Sequence, residues 1–181
     1  VNIRRGYCKH SKKVILDRVS VRFEAGSLTA ILGPSGAGKS TLLSVLRTGR
    51  CNTAGSLTLD GFPYSHSRGR VVTVPQDDVL LPGLTPLEML SFAAELRLRG
   101  SDKATRKQCV LSVLRRLQLA DDEIAQRIGS VEERGLSGGQ RKRVSIGVEL
   151  IGSPRALLVD EPTSGLDAKT ALDVVRLLKS L

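Results

Sequence analysis

Tryptophan is absent from this 181-residue sequence, and two tyrosines and three phenylalanines are its only aromatic rings. So sparse a set, beside 18 glycines and seven prolines, points to a ligand site shaped by loops rather than by stacked rings. Cysteine is scarce as well: Cys8, Cys51 and Cys109 are odd in number and have no paired spacing. They support neither a disulfide framework nor a zinc site, so a reducing compartment is the expected setting. No run reaches the roughly 18 apolar residues of a membrane-crossing helix. No apolar leader follows Val1, which is not an initiator, and the stretch is expected to be cut from a longer protein.

What is present is globular material, 40% hydrophobic and 25% charged, long enough for one domain with a small subdomain and a sizeable core. Twenty-eight Lys and Arg outnumber 18 Asp and Glu, a formal net charge of +10. Five of these cations, Arg4, Arg5, Lys9, Lys12 and Lys13, precede the first acid, Asp17. Nucleic acid, an anionic membrane surface or a solvated face would each account for them.

The first 32 residues read as short strands: Val19, Val21 and Phe23 alternate with polar residues, and Leu28 to Leu32 is mostly apolar. A helix is expected from Lys39 to about Leu46, then strands at Leu57–Leu59, closed by an Asp60-Gly61 turn, and at Val71–Val74. Residues 77 to 135 change character. Thr85, Pro86 and Glu88 form a helix start, and Leu87, Leu90, Phe92, Ala93, Leu96 and Leu98 are its expected apolar face. A second helix runs from about Lys103 to Leu117, with Val110, Leu111, Val113, Leu114 and Leu117 inward. A further helix spans Gly139 to Ile151, with Val144, Val148 and Ile151 as its apolar positions. A buried-type strand covers Ala156–Val159, and a last helix covers Ala168–Ser180. The composite is α/β with a helical insertion.

Gly33-Pro34-Ser35-Gly36-Ala37-Gly38-Lys39-Ser40 fits G-x-x-x-x-G-K-[ST], with an apolar run before it and a helical pattern after. Glycines let backbone amides curl around phosphates, and the helix adds its N-terminal dipole. Lys39 is expected on the β- and γ-phosphates and the Ser40 hydroxyl on Mg²⁺, with Thr41 grouped in the same cradle. The Ala156–Val159 run ends in Asp160-Glu161. A carboxylate there suits Mg²⁺ held through water, and Glu161 suits a general base; a helix-capping turn is the plainer alternative.

Leu136-Ser137-Gly138-Gly139-Gln140, between the phosphate loop and the Asp160 strand, resembles the signature of the ATP-binding cassette (ABC) ATPases. Gln76 resembles the Q-loop glutamine, and Ser164-Gly165-Leu166-Asp167 the D-loop. The resemblance covers nearly the whole chain. It implies a P-loop NTPase core of the ABC type with an inserted helical subdomain, and ATP and Mg²⁺ as cofactors. Core strands and phosphate loop would fill residues 1–76, the helical subdomain 77–135, and the signature helix, Asp160 strand and D-loop 136–181. It further implies that Ser137, Gly138, Gly139, Gln140 and Asp167 meet the nucleotide held by a second such domain, head to tail. Gln76 would join Ser40 and Asp160 at the metal and Glu161 in catalysis. Ser137, Gly138 and Gly139 also sit where a helix begins, so their hydroxyl and uncovered amides suit a phosphate.

Arg141 to Leu150, with Gln76-Asp77-Asp78, Leu84-Thr85 and Phe92-Ala93-Ala94, is similar to the White/ABCG half-transporters. That resemblance implies a membrane domain C-terminal on the same chain, with this domain on the cytoplasmic face. Arg141, Lys142 and Arg143 read equally as a wet helix face. Thr85-Pro86-Leu87-Glu88 departs from the family's Thr-Val-Arg-Glu by losing one cation. Tyr7, with His10 second, lies about where an adenine-stacking ring is expected; a packed strand-edge ring is the alternative. The family's switch histidine would fall beyond Leu181, so the C-terminal part of the domain is missing and turnover by the stretch alone is not expected. Two other classes remain: an ABC ATPase acting on nucleic acid or ribosomes, and an ATP-binding regulatory module without turnover. Nucleic acid is not the expected partner, because no aromatic platform accompanies the basic cluster, and residues 77–135 lack the sustained heptads of a coiled coil.

Overall fold

The computed structural model describes residues 15–49, 55–64, 70–130 and 134–181. Tyr7, His10 and the basic cluster Arg4–Lys13 lie outside the described residues. The chain divides into two compact units, 1–71 and 72–181, with the division inside a strand.

In the first unit, helix α1 spans Lys39–Thr48 and a two-residue hairpin follows, β1 (Thr58–Leu59) against β2 (Phe62–Pro63). Leu59 faces Phe62, and Asp60 and Gly61 both take positive φ, 54° and 79°, the conformation that a tight hairpin turn requires. The expected strands at Val19–Phe23 and Leu28–Leu32 do not form: residues 15–38 carry no strand, and Leu28 and Leu32 are 53% and 90% exposed. Alternation gives a segment strand-like shape, but a strand exists only where a neighbour pairs with its backbone and side chains.

Among the described residues of this unit Leu42, Leu46, Tyr64 and Val71 are buried. The Tyr64 hydroxyl donates to the Arg47 carbonyl, and its burial pushes the phenol pKa up, partly opposed by the Arg47 charge. Its ring lies on Gly49, the left-handed end of α1, with φ of 65°. A Cβ there would lie 2.0 Å from Tyr64 Cδ1. Gly49→Ala combines backbone strain with a collision and is expected to cost about 2–3 kcal/mol. Thermal unfolding measures this; an unchanged midpoint would contradict the packing described.

The second unit holds β3 (Val71–Val74) beside β4 (Ala156–Val159), and the helices α2 (Pro86–Arg97), α3 (Lys103–Leu117), α4 (Asp121–Ala125), α5 (Gly138–Leu150) and α6 (Ala168–Ser180). Helix α2 starts as its sequence requires. Thr85 Oγ1 accepts from the Glu88 amide at 3.3 Å, and Glu88 Oε2 accepts from the Thr85 amide at 2.8 Å. Asp102 caps α3 through the Thr105 amide at 2.7 Å. Leu90, Leu117, Ile128, Val144, Ile146, Ile151 and Val174 are fully buried and join β3, α2, α3, α5 and α6 in one core. Each such side chain contributes about 1.5–3 kcal/mol on burial.

The buried face of α2 differs from the expected one. Pro86, Met89, Leu90, Ala93 and Ala94 are inside, whereas Leu87, Phe92 and Leu96 are exposed. Apolar residues lie all around this helix, so periodicity left two faces possible, and the one carrying Ala93 and Ala94 permits closer approach of neighbouring helices. Leu111 of α3 is likewise outside, at 37% exposure.

Candidate nucleotide site

In the first unit the phosphate loop leads straight into α1. Gly36 and Gly38 take φ of 76° and 93°, and Gly38 starts the helix without a side-chain cap. A Cβ on Gly38 would lie 3.1 Å from Ile15 Cγ2, whereas one on Gly36 would meet nothing within 4 Å. The loop is a turn closed by the Ala37 amide on the Pro34 carbonyl at 3.2 Å. Lys39 Nζ folds back over it, donating to the carbonyls of Gly33 at 2.9 Å and Pro34 at 3.0 Å. Amides of an uncapped helix start, one ammonium and the exposed Ser35 and Ser40 hydroxyls make a donor set suited to a polyphosphate. Thr41, one residue further, is half-buried.

In the second unit β4 delivers Asp160 and Glu161. The Asp160 amide donates to the Val74 carbonyl at 3.1 Å, which ties the end of β4 to the end of β3 and hence to Gln76. Glu161 has a φ of 45°, a left-handed conformation that costs about 1 kcal/mol or more in a residue with a side chain. Its carboxylate is exposed, with Oε2 accepting from Gln76 Nε2 at 3.1 Å. The same Gln76 amide lies 3.4 Å from Ser164 Oγ. Two sequence-distant candidates, Gln76 and Glu161, thus meet directly, beside Asp160 and Ser164.

Among the described residues no group of three or more His, Cys, Asp or Glu is gathered to enclose a metal. Within the second unit the Asp160 carboxylate and the Gln76 amide are donors of the kind that suits Mg²⁺, which keeps several waters and phosphate oxygens in its shell.

Ser137 caps α5, accepting from the Gln140 amide at 3.3 Å, while Gln140 Oε1 accepts from the Ser137 amide at 2.7 Å. Gln140 Nε2 is held in turn by Glu123 Oε1 of α4. Gln140 is therefore engaged inside the chain, whereas the Ser137 side chain is exposed. A Cβ on Gly139 would lie 2.1 Å from Thr170 Cγ2, so this glycine also sets how closely α6 approaches α5. Asp167 caps α6: Oδ1 accepts from the amides of Lys169 and Thr170, and Oδ2 from the Thr170 hydroxyl. The Thr170 hydrogen bonds, first the side chain's, hold the Asp167 carboxyl below the ordinary aspartate range.

The basic triplet is not a wet face. Lys142 is 4% exposed and pairs with Asp78 Oδ1 at 2.7 Å; Arg141 Nη1 donates to the Leu136 carbonyl and Arg143 Nη1 to that of Gln118. No local pattern in the sequence announces Asp78 as the partner of Lys142 or Glu123 as that of Gln140.

A family model described as ABC transporter matches residues 16–164. The chain belongs to the ABC transporter family. It is an ABC ATPase domain homologous to ABCG-type transporters. Similar proteins include ABC transporter G family member 22 of Arabidopsis thaliana, 45% identical over 174 residues, covering 94% of this chain and 23% of that protein. The ABC-type transporter claG of Penicillium crustosum is 45% identical over 161 residues, covering 87% of this chain and 21% of that protein. The chain thus spans under a quarter of the length of these two relatives. Among solved structures, a dimeric ATP-binding cassette in a post-hydrolysis state bound to ADP and Pi aligns with a TM-score of 0.76 at 29% identity. That alignment covers 99% of this chain and 80% of the other. The ABC cassette thus has the expected α/β fold with helical insertions. Among its described residues no helix is long and apolar enough to cross a membrane.

Proposed function

We propose that this ABC cassette is the ATP-hydrolysing motor of an ABCG-like half-transporter. It closes head to tail with a second cassette around two Mg-ATP, on the cytoplasmic face of a membrane and joined to a C-terminal membrane domain on the same chain. The observation that carries the reading is the hydrogen bond from Gln76 to Glu161 at the end of β4, beside Asp160. The division of labour follows the chain: core and phosphate loop in 1–76, helical subdomain in 77–135, signature helix, Asp160 strand and D-loop in 136–181.

Mg-ATP, when bound, supplies the phosphoanhydride that water cleaves to ADP and phosphate. The backbone amides of residues 35–40 would hold its phosphates, and the Lys39 ammonium, now on the Gly33 and Pro34 carbonyls, would turn to them. Ser40 and Asp160 would hold the metal, with Gln76 as third donor. A Glu161 carboxylate oxygen takes the proton from the attacking water, and the Gln76 amide orients that carboxylate. The Ser137 hydroxyl and the first amides of α5 face the nucleotide of the partner cassette, where they complete the charge-stabilising shell. The similarity to G-family transporters favours this reading over action on nucleic acid.

Phosphate release by the full-length protein in lipid vesicles tests it. Glu161→Gln is expected to lower kcat by about 100-fold or more, the range for losing a general base, while ATP is still bound. Unchanged hydrolysis would remove Glu161 from the base role.

A further inference from the structure

Lys142 lies on the second turn of α5, a helix whose first residues are the signature, yet its side chain points into the unit and is 4% exposed. Its ammonium is held on three oxygens. Asp78 Oδ1 lies at 2.7 Å, the Gln76 carbonyl at 2.7 Å and the Pro75 carbonyl at 3.4 Å. Asp78 is itself mostly covered, with 17% of its side chain exposed. Beside this pair opens a cavity of about 440 Å³ lined by Gln76, Asp78, Gly138, Arg141 and Ser164.

A nearly buried ion pair is weak evidence of a stabilising role, because desolvation offsets much of the attraction and apolar residues of similar size often serve as well. The two carbonyl bonds are more specific. They fix the backbone of the residue whose side chain meets Glu161. The connection therefore runs from the capped start of α5 through Lys142 to the Gln76 main chain, through the Gln76 amide to the carboxylate of Glu161.

We infer that Lys142, set by Asp78, is a positioning residue that ties the signature helix to Gln76, so that seating of the signature on the opposed nucleotide is transmitted to Glu161 of the same chain. The inference rests on the proposed function. It adds a route by which one nucleotide site reports on the other. Lys142 does not touch the reacting atoms; it acts through the position of Gln76, where a misplacement of about 1 Å can cost up to ~100-fold in rate.

The test is Lys142→Met with Asp78→Asn in the full-length protein. This double variant removes both charges together and strands neither. Expected are cooperative unfolding with a midpoint lowered by about 2–8 °C, because the Gln76 and Pro75 carbonyls lose their donor, with ATP affinity within about twofold of wild type and a kcat lower by about tenfold or more. Amide exchange across residues 76–79 should rise about tenfold while that of α2 is unchanged, a local loosening that a general loss of stability would not produce. Wild-type kcat together with wild-type exchange at 76–79 overturns the inference. So does a uniform rise in exchange across the whole unit. Should the double variant fail to fold, Lys142→Gln with Asp78→Asn decides. Its neutral amides can satisfy one another, but the shorter side chain does not reach the Gln76 carbonyl. The same local loosening and loss of kcat are expected, and wild-type behaviour overturns the proposal. Glu161→Gln, run in parallel, separates the two readings: if it hydrolyses normally, the proposed function fails, whereas if it is inactive and the Lys142 variants are normal, only the positioning role fails.

Discussion

Lys39→Ala should weaken Mg-ATP binding by about 100-fold and leave no measurable hydrolysis. The ammonium folds over the phosphate loop, held at 2.9 Å and 3.0 Å by the carbonyls of Gly33 and Pro34. Each hydrogen bond that it makes to a charged oxygen is worth about 1.5–3 kcal/mol, so losing one or two accounts for that factor. The fold has little to lose by the change, because the Lys39 side chain contributes nothing to the Leu42, Leu46 and Tyr64 core. Titration with labelled ATP measures the affinity, and phosphate release measures turnover. Normal hydrolysis by Lys39→Ala would remove the phosphate-loop assignment altogether.

Ser137→Arg is expected to leave ATP binding by the single cassette near wild type and to abolish closure, with hydrolysis falling by about 100-fold or more. Ser137 is exposed at the start of α5, where its hydroxyl caps the helix by accepting from the Gln140 amide. Two effects must be separated. Loss of the cap costs about 1 kcal/mol, and Ser137→Ala loses the same cap. Only arginine adds a bulky cation where the opposed phosphates would seat. Ser137→Ala should therefore still close, and Ser137→Arg should not. Closure by both variants would mean that the α5 start does not face a nucleotide.

Much of the fold was legible because its signals are local. The cap at Thr85, Pro86 and Glu88 is confined to four residues, and α2 begins where they place it. The apolar runs Val71–Val74 and Ala156–Val159 became β3 and β4 with the expected bounds, and α3 and α6 likewise. Where partners decide, the sequence was silent. The run from Leu28 to Leu32 has strand composition but no ladder, and α2 carried two possible apolar faces. The meeting of Gln76 with Glu161 joins residues 85 apart in the chain and rests on a left-handed backbone at Glu161 that no local signal announces. The burial of Lys142 has the same origin. Its position suits a solvated helix face until β3 brings Gln76 and Asp78 against α5.

The head-to-tail sandwich is the central claim, and a variant that binds but does not hydrolyse ATP isolates it. Glu161→Gln keeps the size of the side chain and removes the base, so a closed state should accumulate. In a cassette extended past Leu181, sedimentation with and without Mg-ATP reads the assembly directly. A monomer is expected without nucleotide and a dimer with it. A monomer under both conditions, with ATP binding confirmed, would contradict the sandwich as a property of two copies of this cassette.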